Sequence, residues 1–248
     1  MKKILIVLIV YCFITLNAQV FTAGSFKNRI YLLDGLAMRL TVYNRDTVPV
    51  QKISLKNISK NSVFDFFLPY DDFNIYLSDS FRDIIYLLDE NFALKKSIDV
   101  KKEHGTEIYR KIFPFRYDGL IIASKNMREV FELRNNRMKK IINTETEFED
   151  IFADKDFIYL LFKNSISVYS FTGIFIKRTA VPEIPDYSDF IVNDSRIYLK
   201  SKSGITSFNP LIREFSELEL AGNSVFTAID STLYIFSGDS LKLMRIDL

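Results

Sequence analysis

The chain has a single histidine, His104, so its capacity for imidazole chemistry rests on one residue. Zinc and copper sites built on histidine need several imidazole or thiolate ligands, and His104 alone cannot supply them. A Ser–His–Asp triad would have to use His104 itself. It lies in the polar segment Lys101–Glu107, which we interpret as a loop. A solvated loop residue is therefore the expected role of His104.

Two acidic segments, 70–73 and 147–150, could offer oxygen ligands to a hard cation. Neither segment has the spacing or the glycine of an EF-hand loop, and carboxylates in structural turns are the simpler interpretation. The sequence contains no G-x-S-x-G, no G-x-G-x-x-G and no phosphate-binding loop motif. We therefore assign no catalytic residue, no metal ligand and no cofactor from the sequence.

A short apolar strand recurs six times, and it must position whatever chemistry the chain has. The copies begin at Ile30, Ile75, Leu120, Ile158, Ile197 and Leu233, at steps of 45, 45, 38, 39 and 36 residues. A period of about 40 residues with several strands per period is typical of a β-propeller. The sequence therefore predicts an all-β, six-bladed propeller with about four strands per blade.

The recurring strands are apolar at successive positions, which indicates burial on both faces, as in the middle strands of stacked blades. A sandwich or a β-solenoid is the alternative all-β architecture. The ambiguous stretch Lys125–Ile142 is predicted to form two strands. The last blade lacks a fourth strand in the sequence pattern. Residues Gln19–Phe26 are predicted either to begin the first blade or to fill the outer edge of the last one.

Residues 1–18 read as a cleaved secretory signal peptide, with Lys2 and Lys3 before an apolar stretch and Ala18 at the cleavage point. A retained anchor and a lipoprotein modified at Cys12 are the alternatives, although Tyr11 is too bulky for a lipobox. Cleavage removes two lysines and the only cysteine, leaving 31 basic and 31 acidic residues. We expect a single exported domain, residues 19–248, that is periplasmic, envelope-associated or extracellular. It should have no membrane span after cleavage and no general attraction to nucleic acid.

Two hairpins carry a resemblance to a known group of propellers. Segment 164–177 places the apolar triplet of one strand before Thr172-Gly173 and a second apolar strand, and segment 83–98 repeats this pattern with Asn91 at the turn. Both are similar to the hairpins of NHL-type repeats, and the chain resembles exported six-bladed propellers of the NHL and TolB-like groups. The resemblance implies mostly binding platforms, and in a minority hydrolases, lactonases or lyases.

Two functions are consistent with this sequence. The first is a secreted or envelope-associated module that binds a protein or a small ligand. The second is a hydrolase or lyase that uses carboxylates, and a divalent cation if one binds, at the axial channel. In propellers of this class, partners contact the loop face around that channel, formed by the turns between strands b and c and by the segments that join blades. The candidate contact residues there are Arg82, His104, Arg128 and Tyr187.

Overall fold

The computed structural model is a closed ring of six antiparallel sheets, each built from consecutive strands of the chain. It describes residues 21–69, 71, 74–116, 119–181, 189–193, 196–201, 204–209, 214–219, 224–230, 232–237 and 242–247. The six-bladed propeller predicted from the repeats is confirmed. The signal peptide predicted at residues 1–18 lies outside the described residues and stays a prediction.

Each of the first three blades contains four strands, named a to d from the axis outward. Blade 1 contains β1 (Phe21–Phe26), β2 (Arg29–Asp34), β3 (Arg39–Asn44) and β4 (Pro49–Ser54). Blade 2 contains β5 (Phe66–Pro69), β6 (Ile75–Asp79), β7 (Ile84–Leu88) and β8 (Leu94–Asp99). Blade 3 contains β9 (Ile108–Phe115), β10 (Gly119–Ser124), β11 (Glu129–Arg134) and β12 (Arg137–Asn143).

The last three blades follow the same order. Blade 4 contains β13 (Asp150–Ala153), β14 (Ile158–Phe162), β15 (Ser165–Tyr169) and β16 (Phe175–Ala180). Blade 5 contains β17 (Asp189–Asn193), β18 (Arg196–Lys200), β19 (Gly204–Asn209) and β20 (Glu214–Glu219). Blade 6 contains three described strands: β21 (Val225–Ile229), β22 (Thr232–Ser237) and β23 (Lys242–Asp247).

The six recurring apolar strands are the b strands, and they are buried as their composition predicts. All five residues of β6 and all six of β10 are buried. The outer d strands are largely exposed, as in β4 and β16. The stretch Lys125–Ile142 contains the two strands β11 and β12, as predicted.

Hydrophobic clusters between neighbouring blades hold the ring together. One cluster joins blades 1 and 2 around Leu33 and Leu77. Three others join blades 2, 3 and 4, then blades 4 and 5, and then blades 5 and 6. The last cluster joins blade 6 to blade 1 through Ile30, Leu32, Tyr234 and Phe236. Residues 21–26 therefore form strand a of blade 1, which decides between the two placements left open by the sequence.

One short helix differs from the sequence prediction, which placed residues 101–107 in a loop. Helix α1 (Val100–His104) follows β8 directly, and Asp99 caps its first turn by accepting a hydrogen bond from the Lys102 amide at 2.9 Å. Gly105 ends the helix in the left-handed conformation, with φ of 70°. His104 is therefore the last residue of a helical turn. None of the helices in the described part of the chain is long and apolar enough to cross a bilayer.

Candidate functional site

The inner strands of all six blades line an axial cavity of about 170 Å³. Its wall is mainly aromatic and apolar, and each blade contributes at least one residue: Gly24, Phe66, Phe113, Phe152, Ile191 and Phe226. Gly24 fits the crowded wall because an added Cβ would lie 3.3 Å from the Phe67 carbonyl oxygen. Lys111 and Asp189 are the charged residues in this wall. The polar end of the cavity therefore belongs to blades 3 and 5.

Lys111 is the centre of a buried ionic cluster formed by the inner strands β9, β13 and β17. Its ammonium lies 2.7 Å from Asp150 Oδ2 and forms a second ion pair with Asp189 Oδ1. The same nitrogen donates a hydrogen bond to the Phe190 carbonyl at 3.1 Å. The side chains of Lys111 and Asp150 are 5% and 0% exposed, whereas that of Asp189 is 27% exposed. The cluster thus reaches solvent on the side of blade 5.

The three charged residues occupy the same level in three consecutive blades. Asp150 pairs with Leu161 and Asp189 with Lys200, each the fourth residue of its recurring b strand. Lys111 directly precedes Ile112, whose partner Ile122 is the third residue of its own b strand. The repeat therefore brings the side chains of Lys111, Asp150 and Asp189 together at one end of the axis. At this end each strand b finishes and runs into its b–c turn. This end opens on the loop face.

The ionic cluster is internally compensated. Burial by itself would lower the pKa of the Lys111 ammonium, but the carboxylates of Asp150 and Asp189 outweigh burial and raise it. Burial would likewise raise the pKa of Asp189, but Lys111 and Arg110 outweigh it and lower it. The direction of both pKa shifts favours the charged forms of Lys111 and Asp189.

Two further cations surround the exposed side of the cluster. Arg110 is 35% exposed, and its Nη2 lies 4.0 Å from Asp189 Oδ1. Lys200 lies opposite Asp189 in the blade 5 sheet and is half-buried. Burial and, more weakly, repulsion from Arg110 lower the pKa of Lys200, against the attraction of Asp189. The mouth of the channel therefore presents guanidinium and ammonium groups beside a partly exposed carboxylate.

Blade 2 places another carboxylate on the same face, held by hydroxyl groups. Asp65 accepts hydrogen bonds from Ser78 Oγ at 3.1 Å and from the Ser80 amide at 3.2 Å, and Ser80 Oγ also bonds to it. Burial raises the pKa of Asp65, and these hydrogen bonds only partly oppose the change. Asp65 therefore contrasts with Asp189, whose pKa is lowered by cations.

The residues predicted as partner contacts lie at the rim of this face rather than in the channel. Arg82 is exposed in the b–c turn of blade 2, and Arg128 is exposed in that of blade 3, 3.2 Å from Glu147 Oε1. His104 is partly buried, and its Nε2 has no hydrogen-bond partner among the described residues. Tyr187 lies outside the described residues. In the described part of the chain no contact joins Arg82, His104 and Arg128 into one site, and the role of all four residues stays a prediction.

Three described acids from the two acidic segments singled out in the sequence, Asp71, Glu147 and Asp150, make contacts with neighbouring side chains. Asp71 accepts a hydrogen bond from Asn74 at 2.9 Å, Glu147 pairs with Arg128, and Asp150 pairs with Lys111. Within the described residues, no group of three or more histidine, cysteine or acidic side chains is arranged to hold a metal ion. Asp150 lies in a strand and contacts a lysine, which the interpretation as a turn carboxylate missed.

Sequence reasoning did not find the Lys111 cluster, although a signal exists. Lys111 stands before Ile112-Phe113, and Asp189 stands before Phe190-Ile191, so each charge directly precedes an apolar pair on an inner strand. A charged residue at this position faces the other inner strands, because the repeat brings all of them to the axis. If the six repeats are aligned on the fourth residue of each b strand, the inner-strand residues that face this position fall at one level, which places the three charges together.

A second cavity of about 650 Å³ opens on the opposite face, between the inner ends of blades 2 to 4. Phe115 and Phe171 stack in its wall with ring centroids 4.2 Å apart, and Arg116 lies over Phe115. Asp154 in this wall accepts hydrogen bonds from Tyr159 at 2.7 Å and from the Phe157 amide at 2.8 Å. Its carboxylate is thus engaged within the wall, and we place the candidate site at the loop face.

No protein-family model matches this sequence, and no curated protein matches it either. Among solved structures, the chain is similar to a gluconolactonase from Xanthomonas campestris, with a TM-score of 0.68 and 12% identity over 93% of this chain and 86% of that one. It is also similar to a streptogramin B lyase, with a TM-score of 0.62 and 10% identity over 92% and 82% of the two chains. At these identities the likeness shows the fold alone.

Proposed function

We propose that this protein is an exported or envelope-associated binding module that contacts a protein or a small ligand through its loop face. The carrying observation is the channel mouth, where Lys111 is neutralised by Asp150 and Asp189 while Arg110 remains one-third exposed. Such an arrangement fixes polar groups on a rigid scaffold beside an apolar cavity, which is typical of small-molecule and recognition sites.

The alternative, a hydrolase or lyase, needs oxygen ligands or a general acid–base pair that converge on the axis. Two carboxylates do converge, but each is bound to the Lys111 ammonium. A divalent cation would have to displace that lysine from a nearly dry position. The known lyase and lactonase resemble this chain in fold, and fold does not carry their chemistry. Binding is therefore the function that the side-chain arrangement supports best.

A capture experiment tests the binding proposal. Immobilised mature protein would be exposed to envelope extract, and bound proteins and small molecules identified by mass spectrometry. Three variants are compared: Arg110→Gln/Lys200→Gln at the mouth, Arg82→Ala/His104→Ala/Arg128→Ala at the rim, and Lys52→Gln/Lys139→Gln on the exposed outer strands as a control. We expect capture to fall in the first two variants and to persist in the control. Equal capture by all four proteins would overturn the proposal.

Two further measurements test the enzymatic alternative and the predicted export. Metal analysis of the purified protein that finds a stoichiometric bound cation would favour the enzyme. Mass spectrometry of the exported chain tests its compartment, since cleavage after Ala18 leaves Gln19 as the first residue. A chain that still begins at Met1, or at a lipidated Cys12, would contradict the predicted cleavage.

A further inference from the structure

The b–c turns of blades 1 and 2 each present an exposed apolar side chain at the same position. Leu36 is 42% exposed and Phe81 is 71% exposed, and each lies two residues after the aspartate that ends its b strand. Both turns close with a residue of positive φ, 50° at Met38 and 59° at Asp83. The two turns therefore end in the same way, and the two apolar residues lie on the same face of adjacent blades.

Backbone hydrogen bonds bring basic residues to the base of each turn. The Leu55 amide donates to the Met38 carbonyl at 2.8 Å, which places Lys56 directly beside the first turn. The Val100 amide donates to the Asp83 carbonyl at 2.9 Å, which places the first turn of α1 beside the second. Each turn is thus attached to the segment that leaves strand d of its own blade.

Four exposed cations in these segments have no ion pair among the described residues. They are Lys56, Lys60, Arg82 and Lys102. Lys101, next to them, is paired with Glu107. Glu103 and Glu107 are the exposed acids described in the same segments, Glu107 being paired with Lys101, whereas Asp65 and Asp83 are buried. The patch therefore carries a local positive charge, although the chain without residues 1–18 has equal numbers of acidic and basic residues.

We infer that this two-blade patch, consisting of Leu36, Phe81, Lys56, Lys60, Arg82 and Lys102, docks the propeller on an anionic phospholipid surface. Two exposed apolar residues in separate turns are suited to enter the boundary between headgroups and acyl chains, and the surrounding cations are suited to the lipid charge. The inference rests on the proposed function, in which the loop face contacts partners. It identifies an anionic phospholipid surface as the partner of that face at blades 1 and 2.

Vesicle sedimentation tests this inference with purified protein and no other partner. The probes are vesicles of phosphatidylcholine alone and vesicles with about 30 per cent phosphatidylserine. We expect binding to the anionic vesicles alone, and weaker binding at about 0.5 M salt because the charges are screened. Phe81→Ser should weaken binding strongly. Lys56→Gln/Lys60→Gln/Arg82→Gln/Lys102→Gln should weaken it by about fivefold per cation removed.

A charge-matched control separates the patch from net charge. Lys52→Gln/Lys96→Gln/Lys139→Gln/Lys177→Gln removes four exposed lysines from the outer strands of blades 1 to 4 and should bind anionic vesicles as the wild type does. Equal loss in both quadruple variants would overturn the patch. Binding to neither kind of vesicle, or binding to polyglutamate in place of vesicles, would overturn the lipid as partner.

The absence of tryptophan from the chain allows a direct measurement of insertion. Phe81→Trp provides a single tryptophan in this turn, whose emission, excited selectively over the tyrosines, should shift to the blue on anionic vesicles. Phe175→Trp, at a residue 53% exposed on β16, is the control and should not shift. A shift at both positions or at neither would contradict docking through blade 2. The capture experiment at the channel mouth is independent of this result, so each proposal can fail alone.

Discussion

The two halves of the inner ring differ at a single level of the axis. Blades 3, 4 and 5 place Lys111, Asp150 and Asp189 there, whereas blades 6, 1 and 2 place Val225, Thr22 and Phe66 opposite the corresponding b-strand residues. The antiparallel pairing of strands a and b is common to both halves, although that of β9 with β10 shifts register between Ile122 and Ser124, beside Lys111. The comparison teaches that the repeat determines where a side chain lies, while the individual blade determines whether that position carries charge.

A carboxylate moved into the apolar half should cause the largest loss of stability. Phe66 is 8% exposed and packs against Phe113 with ring centroids 5.9 Å apart. Phe66→Asp would bury a charge where the cation of that level, Lys111, is already paired with Asp150 and Asp189, and it would leave a cavity, so we expect a loss of more than about 4 kcal/mol. Urea unfolding measures it, with Phe66→Leu as the control at about 1–2 kcal/mol. Similar values for both variants would mean that the halves do not differ in this way.

Removal of the central cation from the charged half should cost about 3–5 kcal/mol, because Lys111→Met takes away the buried ammonium that contacts both Asp150 and Asp189 and leaves Arg110 at the more distant 4.0 Å from Asp189. Thermal and urea unfolding give the loss. The matched rescue is Lys111→Met/Asp150→Asn/Asp189→Asn, which removes the two charges that need a cation and should recover most of the stability. A Lys111→Met variant as stable as the wild type would show that the ion pairs do not form.

The pH dependence of stability should distinguish Asp189 from Asp65. Because cations lower the pKa of Asp189 in the folded protein, its contribution is present above the unfolded pKa and is lost as pH falls through the folded pKa. Because burial raises the pKa of Asp65, its contribution is present at low pH and is lost as pH rises through the folded pKa.

Melting temperatures of Asp189→Asn and Asp65→Asn from acid to neutral pH test these opposite directions. Asp189→Asn should reduce the loss of stability on acidification, and Asp65→Asn should reduce the loss on the way from acid to neutral pH. The wild type at each pH is the reference. If both variants change the dependence of melting temperature on pH in the same direction, then cations do not dominate at Asp189 and burial at Asp65 as we infer.

The smallest effect should come from the rim. Arg128 and Glu147 are 51% and 65% exposed and lie 3.2 Å apart, and an exposed ion pair contributes about 0–1 kcal/mol. Arg128→Ala should therefore change the free energy of unfolding by less than about 1 kcal/mol in a urea titration. A much larger loss would place Arg128 in the structural core of the loop face rather than at its surface.

The fold was predictable because the b strands repeat a physical requirement. Each must be buried on both faces, so Ile75–Leu77 and Ile158–Leu160 show the same apolar run although the rest of each blade varies. The site was less predictable because its charges come from three blades about 40 residues apart. Lys111 and Asp189 become neighbours only when the ring closes, and no local spacing in the chain records that closure.

The local structure around His104 shows a second limit. The segment 100–104 is too short for a sustained helical period, so the sequence indicated a loop. The helical turn forms because Asp99 caps it and Gly105 ends it, two signals that are individually common in loops. The rim residues Arg82 and Arg128 were placed correctly on the b–c turns because those turns follow directly from the repeat.

Each blade is formed by one continuous segment of the described residues, and no described strand is shared between blade 6 and blade 1 at the joint that closes the ring. It is held by side chains: Ser25 Oγ donates to the Ala228 carbonyl at 2.8 Å, and Arg45 pairs with Asp230 at 2.8 Å. The ring is thus closed between its first and last blades by non-covalent side-chain contacts. Tension between the first and last blades would be resisted there by packing and a few polar contacts, whereas neighbouring blades elsewhere are also linked by the chain itself. Under tension, the contact between blades 6 and 1 would separate first, and amide exchange in β1 and β21 would report each opening.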